Sequence, residues 1–367
     1  MASLLDQLRT LSAVDCDTLD VEVAAKLGPF NDCTSNQAIA FAELSRLDSD
    51  GKPLHRKLIA ESLLIAHWQV GVGKQTDATL EELAVELMMV GLSLRIVPHT
   101  TGYLHVQTNP KLAYSIQKTI KNAERIIYHF KQLAPIDTKR ICIKIPSTWE
   151  GLQACRELEK KGINTLATTL FSLEQTALAA AVGCRYIAPY VNELRVHFDP
   201  SYTDTNPSLA LCGAAQHYLD ARPVVPKTQV LAASLTSVEQ VMQLAGIHHI
   251  TVSPPLLAEL AATPAAGWAG AAVIGREAVV SNASTPINSD LGSADSELES
   301  KLGAESGSRL EGAVLEDEGL WRMAFTRAGG GGSEVKLVQA INIFADMQDR
   351  LEDMARAAER VVRAGEA

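Results

Sequence analysis

Lys144 sits inside the run Ile141-Cys-Ile-Lys-Ile-Pro146, which is apolar enough to be buried on both faces. A buried ammonium is costly, so such a lysine gives up its proton readily and becomes a nucleophile toward carbonyl carbon, the chemistry of Schiff-base formation. The same residue also reads as a strand-end lysine that snorkels into solvent or pairs with a carboxylate, and periodicity leaves both readings open. Asp17, Asn36, Gln107, Thr168, Tyr190, Ser234 and Ser253 likewise fall at the ends of short β-branched or apolar runs. A carboxylate near an amine shuttles protons, and a hydroxyl at a strand end fixes one water. Taken singly, Asp17 is equally a cap, and Thr168 and Asn36 are ordinary polar strand ends. His105 and His197 are read either as lining the same end of the fold or as surface or satisfied core histidines. The nine histidines form no HxxxH or HExxH pair on a helix, so no metal site is expected. No Gly-x-Ser-x-Gly elbow supports acyl transfer.

Such residues converge only if the runs that carry them lie side by side. The clearest strands are 105–108, 141–146, 165–171, 186–191, 229–234 and 249–253, and short segments at 14–16 and 31–33 bring the count to eight. Between them lie helical patterns at 53–71, 79–92, 114–133, 150–161, 172–182, 207–220 and 236–245. In 114–133 the apolar Ile116, Ile120, Ala123, Ile127 and Phe130 recur at spacings of three and four. Eight strands alternating with helices predict an α/β fold, a closed (β/α)8 (TIM) barrel with its active site at the carboxyl ends of the strands. No Gly-x-Gly-x-x-Gly or Walker sequence favours an open nucleotide-binding sheet. The barrel is expected over 1–262. Residues 263–333, rich in Ala, Gly and Ser and closing on Gly-Gly-Gly-Gly-Ser, read as a flexible insertion with an ordered island around 320–325. Residues 334–367 read as a helix packing on the barrel, with Val335, Val338, Ile341, Phe344 and Met347 on its apolar stripe and Asp349, Arg350, Glu352 and Asp353 on a solvated face.

Composition narrows the function further. The chain has 367 residues, 47% apolar, with 43 acidic against 33 basic side chains and a net charge of −10. That acidic balance argues against nucleic acid as a partner. No stretch approaches the ~18 apolar residues of a membrane span. The opening residues carry acids and lack a signal-peptide core. The six cysteines lie far apart without a CxxC and read as reduced core thiols, so a cytoplasmic protein is expected.

The stretch Ile143-Lys-Ile-Pro-Ser-Thr-Trp-Glu-Gly-Leu-Gln-Ala154 resembles the Schiff-base lysine region of the transaldolases, where Lys-x-x-Ser-Thr-Trp-x-Gly is a specific signature. Asp15-Cys-Asp-Thr-Leu-Asp20 resembles the family's Ala-Asp-Thr-Gly-Asp, and Asp32-Cys-Thr-Ser-Asn36 its Asp-Ala-Thr-Thr-Asn. Thr168-Thr-Leu-Phe-Ser172 and Thr251-Val-Ser-Pro-Pro-Leu-Leu-Ala-Glu-Leu260 match two further strand ends. The likeness covers about 1–262 and resumes in the last helix. It implies Lys144 as the nucleophile, Asp17 as the proton shuttle, Thr168 as holder of a catalytic water, and Asn36 with Thr34 as binders of a donor hydroxyl. It also implies a class I aldolase or transaldolase of pentose phosphate type metabolism, passing or cleaving a dihydroxyacetone-type unit. No metal or organic cofactor is implied, because the lysine supplies the electrophile. The expected partners are a small-molecule sugar or other carbonyl compound and, in assembly, a second copy of the chain.

Three departures qualify that implication. Gln107, in His105-Val-Gln-Thr-Asn109, stands where the transaldolases have a glutamate, and glutamine orients a water without accepting its proton. Tyr190, in Ala188-Pro-Tyr-Val-Asn-Glu193, replaces a phenylalanine, and its hydroxyl needs a partner. Gln with Tyr at these positions resembles the related fructose-6-phosphate aldolases. Finally, Glu193 and Thr236 stand where arginines clamp a sugar phosphate; Ser234 is kept, and Arg195 either compensates, if 193 and 195 share a strand face, or is equally an exposed loop charge. The alternatives are an aldolase for an unphosphorylated carbonyl substrate in a specialised biosynthetic pathway, and an inactive scaffold barrel.

Overall fold

The computed structural model describes residues 2–73, 77–222, 227–266 and 312–364. Eight parallel strands close into a barrel in chain order. They are β1 (Ala13–Cys16), β2 (Cys33–Thr34), β3 (Leu104–Gln107), β4 (Ile141–Pro146), β5 (Asn164–Leu170), β6 (Tyr186–Pro189), β7 (Gln229–Ala232) and β8 (His249–Val252). This is the expected (β/α)8 barrel. Its outward-facing Val14, Cys16, Ile143, Ile145, Ile187 and Ile250 are buried under the helices, which is why these strands are nearly continuous in apolar residues.

Polar residues just past the strand ends start the helices. Asn36, Thr148, Ser172 and Ser237 each accept the backbone N–H three residues on, capping the helices Gln37–Leu44, Trp149–Lys160, Leu173–Ala181 and Val238–Gln243. The chain after β4 turns so tightly that a Cβ on Gly151 would lie 2.1 Å from the Pro146 carbonyl oxygen. That explains the glycine in the lysine-bearing signature. Short helices at Leu4–Arg9, Val21–Leu27 and Pro254–Ala262 were not apparent from periodicity, each being only two or three turns long.

In the C-terminal region the ordered island expected around 320–325 is present and longer than expected. Residues 267–311 lie outside the described residues, so the expected flexible insertion is visible only at its ends. Its last part is not a loose linker: Glu318–Arg327 is a helix, and Ala328–Gly331 is a 3-10 turn in which Gly329 and Gly330 take φ 56° and 62°, angles that glycine adopts without strain. Trp321, 1% exposed, anchors that helix by donating from Nε1 to the Glu174 carbonyl at 3.1 Å and stacking with Phe325. The long helix starts at Gly332 and runs to Ala364.

That helix buries Leu337, Ala340, Ile341, Phe344, Met347, Leu351 and Ala355, so Ile341, Phe344 and Met347 of the expected stripe face the barrel, whereas Val335 is 66% exposed and Val338 is also exposed. A strict spacing of three drifts around a helix of 3.6 residues per turn, so the expected stripe could not stay on one face. Nor is the charged face simply solvated: Lys111 Nζ lies 2.8 Å from both Asp349 and Glu352, and Arg350 lies over the Phe41 ring. The helix crosses the mouth of the barrel, packing on the helix after β2 and on the turns Pro110–Leu112 and Leu194–His197 that follow β3 and β6. Among the described residues no helix is long and apolar enough to cross a membrane.

Candidate active site

In a barrel the residues at i and i+2 of a strand point to the same side. Lys144 therefore points inward from β4, between Gln107 on β3 and Leu166 on β5 in register. Its side chain is 3% exposed. Burial pushes the ammonium pKa below the ordinary lysine value, and the Asp17 carboxylate opposes that shift without cancelling it. The lysine is thus buried rather than snorkelling, and among the described residues it forms no ion pair within 4.0 Å.

Lys144 opens into a cavity of about 130 Å³ at the carboxyl ends of the strands, shared with Asp17, Asn36, Tyr190, Ser234, Thr251 and Ser253. Asp17 lies one residue beyond β1, and its Oδ1 accepts a 2.6 Å hydrogen bond from the Thr34 hydroxyl. Thr34 Oγ1 is also 2.5 Å from Thr251 Oγ1, which joins β1, β2 and β8 at this level. Asn36 spends its Oδ1 on the N–H of Ile39, so what it offers the cavity is its amide N–H donors. Thr168 Oγ1 donates to Tyr190 Oη at 3.3 Å, and burial raises the phenol pKa well above its usual value. Beside Lys144, neither Nε2 nor Oε1 of buried Gln107 meets a partner among the described residues. A buried carboxamide with both ends unsatisfied marks a place for water or substrate.

Two residues here hold backbone that side chains rarely tolerate: Thr169, next to Thr168, has φ 52°, and Ser234 has φ 61°. Such conformations cluster where function over-determines the backbone. Ser234 Oγ lies 2.9 Å from His197 Nε2 at the cavity rim. Surrounding protein pushes the His197 pKa down, with Asp17 pulling the other way.

Arg195 is not brought to the site. Residues 193–197 form no strand; Leu194–His197 is a 3-10 turn with Glu193 at its N-cap, so 193 and 195 share no strand face. The turn carries Arg195 outward, where it pairs with Asp199 at 2.6 Å and lies over the Tyr202 ring, and it places His197 on the cavity. Glu193 faces the C-terminal helix, accepting from Gln339 Nε2 at 3.2 Å with Lys336 Nζ 3.8 Å away. Thr236 donates from its N–H and hydroxyl to Gln240. Thr251, Leu194, Phe198 and Phe344 escaped the sequence reading. Thr251 was displaced by taking Ser253 as the end of β8, and Phe344 reaches the cavity from a helix remote in sequence.

His105 belongs to the buried layer beneath the site, its Nε2 2.8 Å from Asp32 Oδ2, while its Nδ1 meets no partner among the described residues. In that layer Asp15, Asp32 and His249 bring ligand-type atoms within 4.8 Å of one another. Those atoms are already spent: Asp15 Oδ2 lies 3.0 Å from His249 Nδ1, and Asp32 accepts from the Tyr103 N–H and pairs with His105.

A (β/α)8 barrel whose mouth presents a desolvated lysine beside a carboxylate defines the Schiff-base aldolase class of enzyme. Residues 14–300 match the family described as Transaldolase/Fructose-6-phosphate aldolase. The chain is 32% identical over 271 residues to the transaldolase of Acidobacterium capsulatum, covering 72% of this chain and 77% of that protein. It is 34% identical over 268 residues to the transaldolase of Rhizobium leguminosarum bv. trifolii, covering 71% and 78%. A probable transaldolase of Dictyostelium discoideum is 29% identical over 264 residues, covering 71% and 79%. The chain belongs to the transaldolase/fructose-6-phosphate aldolase family and is a Schiff-base aldolase-type enzyme.

Proposed function

We propose that the chain transfers or cleaves a dihydroxyacetone-type three-carbon unit through a Schiff base on Lys144, and that it does so on substrates lacking the usual phosphate. The carrying observation is the buried, pKa-lowered Lys144 sharing one cavity with Asp17. In this reading Lys144 Nζ adds to the ketone carbonyl, water leaves, and an iminium forms. Asp17 takes the proton of the hydroxyl on the far carbon of the bond to be cut. That bond breaks, its electron pair moves into the iminium to give an enamine, and an aldehyde departs. The enamine then either attacks a second aldehyde, with Asp17 returning the proton and water releasing the new ketose from Lys144, or is protonated and its iminium hydrolysed. Thr168, Tyr190 and Gln107 serve the water of the second route, and Asn36 donates to a hydroxyl of the bound unit. The buried free thiols fit action in the cytoplasm.

Altered phosphate recognition is supported by the cavity lining. Among the described residues it includes no arginine, Glu193 is turned to Gln339 and Lys336, and Arg195 is held by Asp199. Arginine's fork is the usual phosphate anchor. The test is borohydride trapping with dihydroxyacetone, fructose and fructose 6-phosphate, reading the reduced adduct on Lys144 by mass. The expected result is an adduct with dihydroxyacetone. Failure of every ketose to label Lys144 refutes the lysine chemistry and favours the scaffold alternative. Turnover of fructose 6-phosphate with erythrose 4-phosphate at ordinary transaldolase rates refutes the altered specificity.

A further inference from the structure

The cavity has two ends. Lys144 projects from β4, and Ser234 follows β7, on the opposite side of the closed barrel. A ketose whose carbonyl reaches Lys144 therefore directs its far end toward Ser234 and what surrounds it. There His197 Nε2 lies 2.9 Å from Ser234 Oγ, with Leu194, Phe198, Leu235 and Phe344 around the pair. Only one charged side chain besides Lys144 lines the cavity among the described residues, and it is the carboxylate of Asp17. Two cations on the elements flanking this rim are committed elsewhere, Arg195 to Asp199 and Lys336 to Glu193. Among the described residues an anionic group placed here meets no cation and faces a carboxylate, whereas a hydroxyl meets a hydroxyl and an imidazole able to donate or accept.

We infer that His197, with Ser234, is the specificity-determining element of the site and recognises an uncharged hydroxyl at the far end of the substrate. The inference rests on the lysine chemistry proposed above. Because Ser234 occupies only one ring nitrogen, the His197 Nε2, the other is left to the substrate. His197 is exposed at the rim, open to an incoming substrate, and the apolar Leu194, Leu235 and Phe344 beside the pair favour a neutral terminus. The substrate class is an unphosphorylated polyhydroxy ketone.

The experiment uses the full chain and the ketose concentration that gives half-maximal borohydride-trapped adduct on Lys144. Dihydroxyacetone is too short to reach the rim, fructose reaches it with a hydroxyl, and fructose 6-phosphate reaches it with a dianion. The expected wild type prefers fructose to its phosphate. His197→Ala raises the fructose concentration needed by about 3- to 10-fold, the value of one hydrogen bond, and leaves dihydroxyacetone unchanged. His197→Asn, which keeps a neutral hydrogen-bonding group, recovers most of that loss, and His197→Lys lowers the requirement for fructose 6-phosphate about fivefold or more. A merely structural histidine would move all three ketoses together, and that result overturns the inference, as does a wild type that prefers the phosphate tenfold. Loss of the dihydroxyacetone adduct in the wild type refutes the lysine chemistry itself and this inference with it. Thermal unfolding of each variant separates misfolding from specificity.

Discussion

Lys144→Met tests the electrostatics of the site without any substrate. Methionine fills nearly the same volume without a charge, and Ile143, Ile145 and Leu166 around it are fully buried. Because burial lowers the lysine pKa, the unfolded chain binds more protons than the folded one between the folded and ordinary lysine values. Stability conferred by this position therefore rises with pH through that window. The penalty is full below the folded pKa and vanishes above the ordinary value of about 10.4. Asp17 keeps its 2.6 Å bond to Thr34 and its access to the cavity, so removing the lysine leaves no fully buried orphan charge. Replacing a buried charge by a well-packed apolar group stabilises by roughly 1–4 kcal/mol, and at about 2 °C per kcal/mol for a large domain the midpoint should rise by about 2–8 °C. The assay is thermal unfolding of wild type and Lys144→Met at pH 7 and at pH 10.5, with borohydride trapping on the same preparations. The expected gain at pH 7 shrinks at pH 10.5, and the adduct is lost. A variant less stable than wild type at pH 7, or a difference independent of pH, refutes the desolvated-lysine argument.

Asp17→Asn keeps the side-chain shape but not the base. Trapping with dihydroxyacetone should persist while carbon–carbon turnover falls by about 10²- to 10⁴-fold, the worth of a positioned acid–base group. Tyr190→Phe removes the oxygen that accepts from Thr168 at 3.3 Å. Leaving a buried hydroxyl unpaired at the water site should slow hydrolytic release by about tenfold, so that with an acceptor aldehyde present the ratio of transfer to cleavage rises. Glu193→Arg, although it restores the residue type of a phosphate clamp, should not improve trapping of fructose 6-phosphate. That side chain faces Gln339 and Lys336, and placing a second cation there should instead cost about 1 kcal/mol of stability.

The barrel was legible because parallel strands buried on both faces are continuous apolar runs, and the polar residues that end them stand out by contrast. Lys144 is the clearest case, flanked on both sides by isoleucines that the helices cover. Where the reading failed, the cause was local geometry or distance along the chain. Arg195 was placed by strand alternation, but residues 194–197 wind as a 3-10 turn, which exchanges the roles of Arg195 and His197. Both Thr251 on β8 and Ser253 just past it line the cavity, and strand-end reading picks out only Ser253 because it counts one residue from each strand. Phe344 carries no local signal at all. It is one buried residue on a helical stripe, and only the path of Gly332–Ala364 across the barrel mouth makes it part of the wall. The glycine run before it reads as a linker by composition, yet it makes the turn from which Ser333 Oγ donates to the Phe171 carbonyl and fixes the start of that path.

The layer beneath the site explains how so few ladder bonds hold the catalytic side chains in place. β2 has two residues and pairs with β1 at one position only, Cys16 with Cys33. Yet Asp17 and Thr34, one on each strand's continuation, meet at 2.6 Å. Asp15 supplies the missing attachment, accepting the Asp32 N–H at 2.8 Å while its other oxygen holds His249 on β8. Asp32 repeats the device one strand on, taking the Tyr103 N–H at 2.7 Å and His105 on β3. Each of these residues sits two positions before a site residue on the same chain segment: Asp15 before Asp17, Asp32 before Thr34, His105 before Gln107 and His249 before Thr251. Two buried carboxylates are costly unless paired, and here each binds a histidine and a backbone N–H. The buried pairs beneath β1, β2, β3 and β8 thus do the positioning that a longer ladder would otherwise do, while burial on β4 lowers the Lys144 pKa against the pull of Asp17.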